Sequence, residues 1–159
     1  MTVAYVGLGA NLGDPRRQLE AAIDRLKNLP GTDFVLVSGF YKSAPLGYVE
    51  QADFLNAVAM LDTTLPAEQL LENLRKIEQQ QGRERPFPNA PRTLDLDLLL
   101  YGSSVLDSPR LTLPHPRMHE RAFVLRPLLE LDPEISVPGK GKASALLSAC
   151  GPQKIERIA

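Results

Sequence analysis

Asp95 and Asp97 stand one residue apart in the run Leu94-Asp95-Leu96-Asp97-Leu98. Side chains of an extended strand alternate between faces, so this spacing puts both carboxylates on one side and the leucines on the other. A half-buried strand with a polar solvent side accounts for the pattern. Aspartate is nevertheless disfavoured in strands, and two like charges one pleat apart repel, an arrangement that bound cations relieve. Magnesium takes carboxylate and phosphate oxygens, and neighbouring carboxylates can hold two ions about 4 Å apart that grip a polyphosphate. A two-metal site is therefore a candidate beside the plain solvated face.

Arg83, Arg85, Arg92, Arg110, Arg117 and Arg121 surround this pair in sequence, many of them in segments that read as loops. Singly, each is explained as a solvated surface cation. As a group they offer planar forks suited to phosphate oxygens, on a loop of arginines and prolines that could close over a nucleotide and exclude water. His115 is held between Pro114 and Pro116, with His119 nearby. A zinc site would need further cysteine or histidine ligands, and the chain has two histidines and one distant cysteine, Cys150. Asn56 interrupts the apolar run Phe54-Leu55-Asn56-Ala57-Val58. It reads either as a polar-face position or as an amide offering one donor and one acceptor to a heterocycle edge, with Phe54 or Phe123 stacked on the ring. Gly7, Gly9 and Gly13 do not fit the dinucleotide spacing, because Leu12 stands at the third glycine position, and that segment reads as a turn.

The elements that must position these residues follow from periodicity. Residues 2–9 read as a strand, and Asp14-Pro15 as the cap and first position of a helix carrying Leu19, Ala22, Ile23 and Leu26. Pro30-Gly31 ends it before a strand at 34–37. Residues 43–53 read as a loop and 54–61 as a strand. Pro66 and Glu68 open a helix with Leu70, Leu74 and Ile77 on one face, stopping near Gly82. Residues 83–92 read as an exposed loop leading into a strand at 93–101. The order β-α-β-β-α-β predicts an α+β, ferredoxin-like sheet with helices on one face, the other left partly open, and C-terminal loops and short helices.

The chain has 159 residues, 43% of them hydrophobic, enough for one substantial core, so a single domain over 1–159 is expected. Eighteen Lys and Arg against nineteen Asp and Glu give a net charge of -1, with no global pull toward nucleic acid or an anionic membrane. The single cysteine, a start without a secretory pattern and the lack of a long apolar run predict a cytoplasmic protein. Nothing in the sequence demands a dimer, and a monomer is expected.

The runs Pro-Arg-Thr-Leu-Asp-Leu-Asp at 91–97 and Pro-His-Pro-Arg-Met-His-Glu-Arg-Ala-Phe at 114–123 closely resemble the 6-hydroxymethyl-7,8-dihydropterin pyrophosphokinases. Gly-Ala-Asn-Leu-Gly at 9–13, the segment 41–47, Phe54-Leu-Asn56 and the run from Glu78 to Arg83 match in the same order. The resemblance implies a ferredoxin-like enzyme of folate biosynthesis that binds ATP and two Mg2+ before the pterin, and transfers diphosphate from ATP to the pterin. On this resemblance Asp95 and Asp97 match the metal ligands. Arg83 and Arg92 match loop arginines over the triphosphate, and His115 and Arg121 match further phosphate contacts. Ser43, Pro45, Leu46 and Asn56 match the rim that hydrogen-bonds the pterin, and Phe54 and Phe123 the aromatics that sandwich it. Leu71, Leu98, Arg110 and Thr112 fall where the family contacts the nucleotide. The chain departs from the family's pattern at Phe87, where relatives carry tryptophan, at Pro116, often tyrosine, and at Arg75, elsewhere a polar adenine contact.

The reaction so implied is attack of the substrate hydroxyl on the β-phosphorus with AMP leaving, which needs no side-chain base if a metal ion activates the hydroxyl. A ligand sensor or RNA-binding module would share the fold, and a metal-dependent phosphodiesterase the two carboxylates. Acids on the fourth strand and near-neutral charge disfavour RNA. Magnesium-dependent ATP binding and product identity separate the others.

Overall fold

The computed structural model describes residues 1–11, 13–44, 54–81 and 94–158. Its first strand, β1 (Thr2–Ala10), leads into α1 (Pro15–Leu26). The Asp14 side chain accepts the Arg17 N–H at 3.2 Å, which satisfies one of the open first-turn donors, and Pro15 occupies a first-turn position whose N–H would have no partner. Leu19, Ala22 and Leu26 fall on one stripe and are fully buried. β2 (Thr32–Val37) and β3 (Phe40–Ser43) then lie end to end along β4 (Phe54–Thr63), β2 against its second half and β3 against its start. Ser38 bridges the break, its N–H bonding to the Val58 carbonyl at 2.9 Å and its Oγ accepting the Val58 N–H at 3.0 Å. The sequence reading ended the second strand at Val37 and missed β3. α2 (Ala67–Gln80) follows, then β5 (Asp95–Tyr101).

Beyond these come a small hairpin of β6 (Leu106–Asp107) and β7 (Thr112–Leu113), then α3 (Ala122–Leu131). A second hairpin of β8 (Ser136–Val137) and β9 (Gly141–Lys142) leads to α4 (Ala143–Ala149) and β10 (Ile155–Ile158). The main sheet has six strands in the order β10-β3-β4-β1-β5, with β2 also on β4, and every pairing is antiparallel. The protein is thus a mixed α/β fold with four helices among the described residues. None of those helices is long and apolar enough to cross a membrane.

Pleating divides the sheet cleanly. Ala4, Val6 and Leu8 of β1, Leu55, Ala59 and Leu61 of β4, and Leu94, Leu96 and Leu98 face one way and pack against Leu19, Leu26, Leu70 and Leu74 of α1 and α2. Each such leucine, fully removed from water, stabilises the fold by about 1.5–3 kcal/mol. The opposite face, expected to be partly open and free of helices, carries α3 and α4 over part of its area. Tyr5, Val58, Leu99 and Leu100 form a second core with Val124, Leu125 and Leu128 of α3 and with Ala143 of α4. A register shift opposite Tyr5 and Val6 turns Leu99 and Leu100 both toward that core. Among the described residues, the end of this face that carries Asn56, Gly9, Gly7, Asp95 and Asp97 lines a cavity.

Candidate functional site

Strand register aligns these residues in two rows across the sheet. Gly9 lies between Asn56 and Asp95, and Gly7 between Val58 and Asp97. Gly7 and Gly9 sit within β1, and their missing side chains leave a floor between the amide and the carboxylates. A Cβ on Gly9 would stand 3.4 Å from Asn56 Oδ1 and 4.0 Å from the Phe54 ring. Over this floor lies a cavity of about 240 Å3, lined further by Ser43, Phe54, Arg117, Arg121 and Phe123.

Asn56 is buried, 4% exposed, and its amide orientation is fixed by its neighbours. Nδ2 donates to the Tyr41 carbonyl at 3.2 Å and to Ser43 Oγ at 2.7 Å. A carbonyl only accepts, so Nδ2 must face Tyr41 and Oδ1 must turn to the Gly9 side. Both amide hydrogens are used inside the protein. The sequence reading gave Asn56 a donor and an acceptor toward a ligand. The geometry leaves the acceptor, and passes the donor role to the Ser43 hydroxyl, which accepts from Asn56 and keeps its own hydrogen for another partner.

A second cleft of about 200 Å3 adjoins the first and shares Asp97 with it. Leu71 and Leu98 form its apolar wall, while Arg75, Arg110, Thr112, His115 and Pro116 supply the rest. Arg110 stands at the rim and pairs with Glu72 at 3.0 Å. The His115 N–H bonds to the Leu99 carbonyl at 2.9 Å, which seats the residue against β5. Its Nδ1 accepts the Arg117 backbone N–H at 3.2 Å, so the neutral ring carries its proton on Nε2, the atom 4.0 Å from Asp97 Oδ1. Burial, and next the Arg121 guanidinium, push the imidazole pKa down to about 4, against the opposing pull of Asp95. His115 is therefore neutral at physiological pH.

The residues singled out from sequence thus fall into two neighbouring groups. Ser43, Phe54, Asn56, Asp95, Asp97, Arg121 and Phe123 line the first cavity, and Leu71, Asp97, Leu98, Arg110, Thr112 and His115 the second. Arg121 lies at the first cavity, with its guanidinium carbon 5.6 Å from the centre of the Phe123 ring. Pro45, Leu46, Arg83 and Arg92 lie outside the described residues. Among the described residues no three His, Cys, Asp or Glu side chains gather into a metal cluster. Two acceptor-only carboxylates on one strand face fit magnesium, which holds few protein ligands and takes the others from phosphate and water.

The model of the 7,8-dihydro-6-hydroxymethylpterin-pyrophosphokinase family matches residues 5–133. The chain belongs to this family. Among curated pyrophosphokinases, the 2-amino-4-hydroxy-6-hydroxymethyldihydropteridine pyrophosphokinase of Pseudomonas aeruginosa is 49% identical over 154 residues, 97% of this chain and 95% of its own. That of Haemophilus influenzae is 42% identical over 158 residues, 99% of each. The crystal structure of wild-type Plasmodium falciparum HPPK-DHPS with pteroate shares the fold, with a TM-score of 0.75 at 12% identity over 93% of this chain. The chain spans 42% of that longer one.

Four contributors to this candidate site were missed in the sequence. Gly7 and Gly9 fall in the predicted strand 2–9 but were weighed only against a dinucleotide motif, because their register opposite Asp97 and Asp95 does not show in one strand. Glu78 and Arg75 were missed as a structural pair. Glu78 follows Leu70, Leu74 and Ile77 on the buried stripe of α2, and an acid on an apolar stripe was the available signal.

Proposed function

We propose that the protein transfers diphosphate from ATP to 6-hydroxymethyl-7,8-dihydropterin, giving AMP and the pterin diphosphate for folate synthesis, with the pterin in the first cavity and ATP in the second. The observation that carries this is the meeting of the two clefts at Asp97. Phe54 and Phe123 offer ring faces to a flat heterocycle, and Asn56 Oδ1 with the Ser43 hydroxyl offers it an acceptor beside a donor. Leu71 and Leu98 cover the adenine, while Arg110 and Thr112 hold polar parts of the nucleotide. Asp95 and Asp97 would hold the two Mg2+. Bound there, magnesium neutralises triphosphate charge and lowers the pKa of the attacking hydroxyl.

The protein's own groups do the rest. His115, with its proton fixed on Nε2, donates a hydrogen bond toward phosphate and has no lone pair there to act as a base. Arg121 and Arg117 place positive charge beside the transferred diphosphate. Arg83 and Arg92 are assigned to the triphosphate through the family resemblance. Apposition of hydroxyl and phosphorus then supplies much of the rate, because positioning dominates phosphoryl transfer. We read the whole chain, 1–159, as one monomeric domain, and its core as ferredoxin-like. With β2 and β3 counted as one broken strand, the order across the sheet is second, third, first, fourth, which supports that reading.

The test is product analysis after mixing protein, ATP, magnesium and the pterin, beside Asp97→Ala. AMP and pterin diphosphate should form one to one, with the variant nearly inactive. ADP or free pyrophosphate in place of AMP would end the proposal.

A further inference from the structure

β5 is an edge strand of the main sheet, and among the described residues β1 is its one strand neighbour there. At Leu96, the residue between the two aspartates, α2 supplies hydrogen-bond partners from side chains. Glu78 Oε2 accepts the Leu96 N–H at 2.8 Å, and Arg75 Nη1 donates to the Leu96 carbonyl at 2.8 Å. Arg75 Nη1 also donates to Glu78 Oε1 at 2.8 Å, which closes the ring of contacts. Glu78 is 0% exposed. Peptide units are planar. The Leu96 N–H lies in the plane that joins Asp95 to Leu96, and its carbonyl in the plane that joins Leu96 to Asp97. The pair therefore grips both planes that set how the two carboxylates stand relative to each other.

We propose that Glu78, paired with Arg75, is a positioning residue for the divalent-ion site: it fixes the separation and aim of Asp95 and Asp97 through the Leu96 backbone and touches neither ion nor substrate. This rests on the reading of Asp95 and Asp97 as the metal ligands. An acid stands on the buried stripe of α2, where a leucine would pack, and it bonds the one residue that separates the two ligands. Groups that orient metal ligands from behind typically change metal affinity 10- to 100-fold when removed.

The experiment follows Mn2+ binding by electron paramagnetic resonance in the presence of a saturating non-hydrolysable ATP analogue, together with amide exchange at Leu96 by NMR and thermal melting. Glu78→Gln preserves volume but turns an NH2 group, itself a donor, toward either the Leu96 N–H or Arg75, because each bonds a separate Glu78 oxygen. The double variant Arg75→Met with Glu78→Leu replaces the ion pair with apolar side chains of similar size, which commonly preserves folding, and carries the test if Glu78→Gln does not fold. Well below its melting temperature, either variant should exchange Leu96 faster and bind Mn2+ about 10- to 100-fold more weakly. A purely structural role would lower the melting temperature and leave ion affinity within twofold, and that result overturns the proposal. Asp97→Ala is the control for the parent reading: if it binds Mn2+ as the wild type does, the assignment of the metal ligands itself fails.

Discussion

Replacing Asn56 by aspartate changes one NH2 group into an oxygen and nothing else in shape. In the protein that NH2 donates to the Tyr41 carbonyl at 3.2 Å and to Ser43 Oγ at 2.7 Å. With a carboxylate there, the Tyr41 carbonyl faces another oxygen, and a buried acceptor without its donor costs about 1–3 kcal/mol. The Ser43 contact survives by reversal: the hydroxyl now donates to the introduced carboxylate, and its hydrogen is no longer offered to the cavity. A pterin acceptor that had used it goes unpaired, which at about 1–3 kcal/mol weakens binding roughly 5- to 150-fold. ATP binding should not change, because Asn56 is absent from the nucleotide cleft. Titration calorimetry with the pterin, and separately with the ATP analogue and magnesium, reads both affinities. If pterin affinity stayed within twofold, or ATP affinity fell in parallel, the assignment of the two clefts would be wrong.

Other perturbations test other parts of the site. Gly9→Val places atoms between Asn56 Oδ1 and the Phe54 ring and should weaken the pterin by about 10-fold or more, with ATP within twofold, in the same calorimetry. Leu71→Ser in the second cleft should weaken the ATP analogue about fivefold and leave the pterin alone. In the metal-free, ligand-free protein the lowered pKa of His115 means that the unfolded chain takes up a proton before the folded one. Stability from this group is intact above pH 6.5 and falls by about 1.4 kcal/mol per pH unit toward pH 4. Urea titrations at pH 7 and pH 5 should therefore show the wild type losing about 2 kcal/mol more than His115→Gln between the two. An equal loss would show that the imidazole is not held neutral.

The alternation of leucine and aspartate at 94–98 was enough to place both carboxylates on one face, because pleating is a local property. α1, α2 and their stripes were equally legible from caps and spacing. β3 was not, because Ser38 and Gly39 interrupt the strand pattern and the bonds that carry the sheet across the break run to Val58, far along the chain. That helices also pack on the second face was not legible for a related reason. α3 carries Pro127 within it, a residue that reads as a helix breaker, and its apolar residues find their partners only on the folded sheet and on α4. Register across strands, which sets Gly9 between Asn56 and Asp95, exists only once β1, β4 and β5 are paired. The fixed orientation of the Asn56 amide and the Glu78–Arg75 grip on Leu96 depend in the same way on partners distant in sequence.

Whether the two substrates occupy separate clefts that meet at Asp97 is decided by a crystal structure of the ternary complex with magnesium, the ATP analogue and the pterin. The pterin ring should lie between Phe54 and Phe123 with Asn56 at its edge, the adenine against Leu71 and Leu98, and the pterin hydroxymethyl group should be directed at the β-phosphorus beside Asp97. Both ligands in one cleft, or a triphosphate remote from Asp95 and Asp97, would contradict this arrangement.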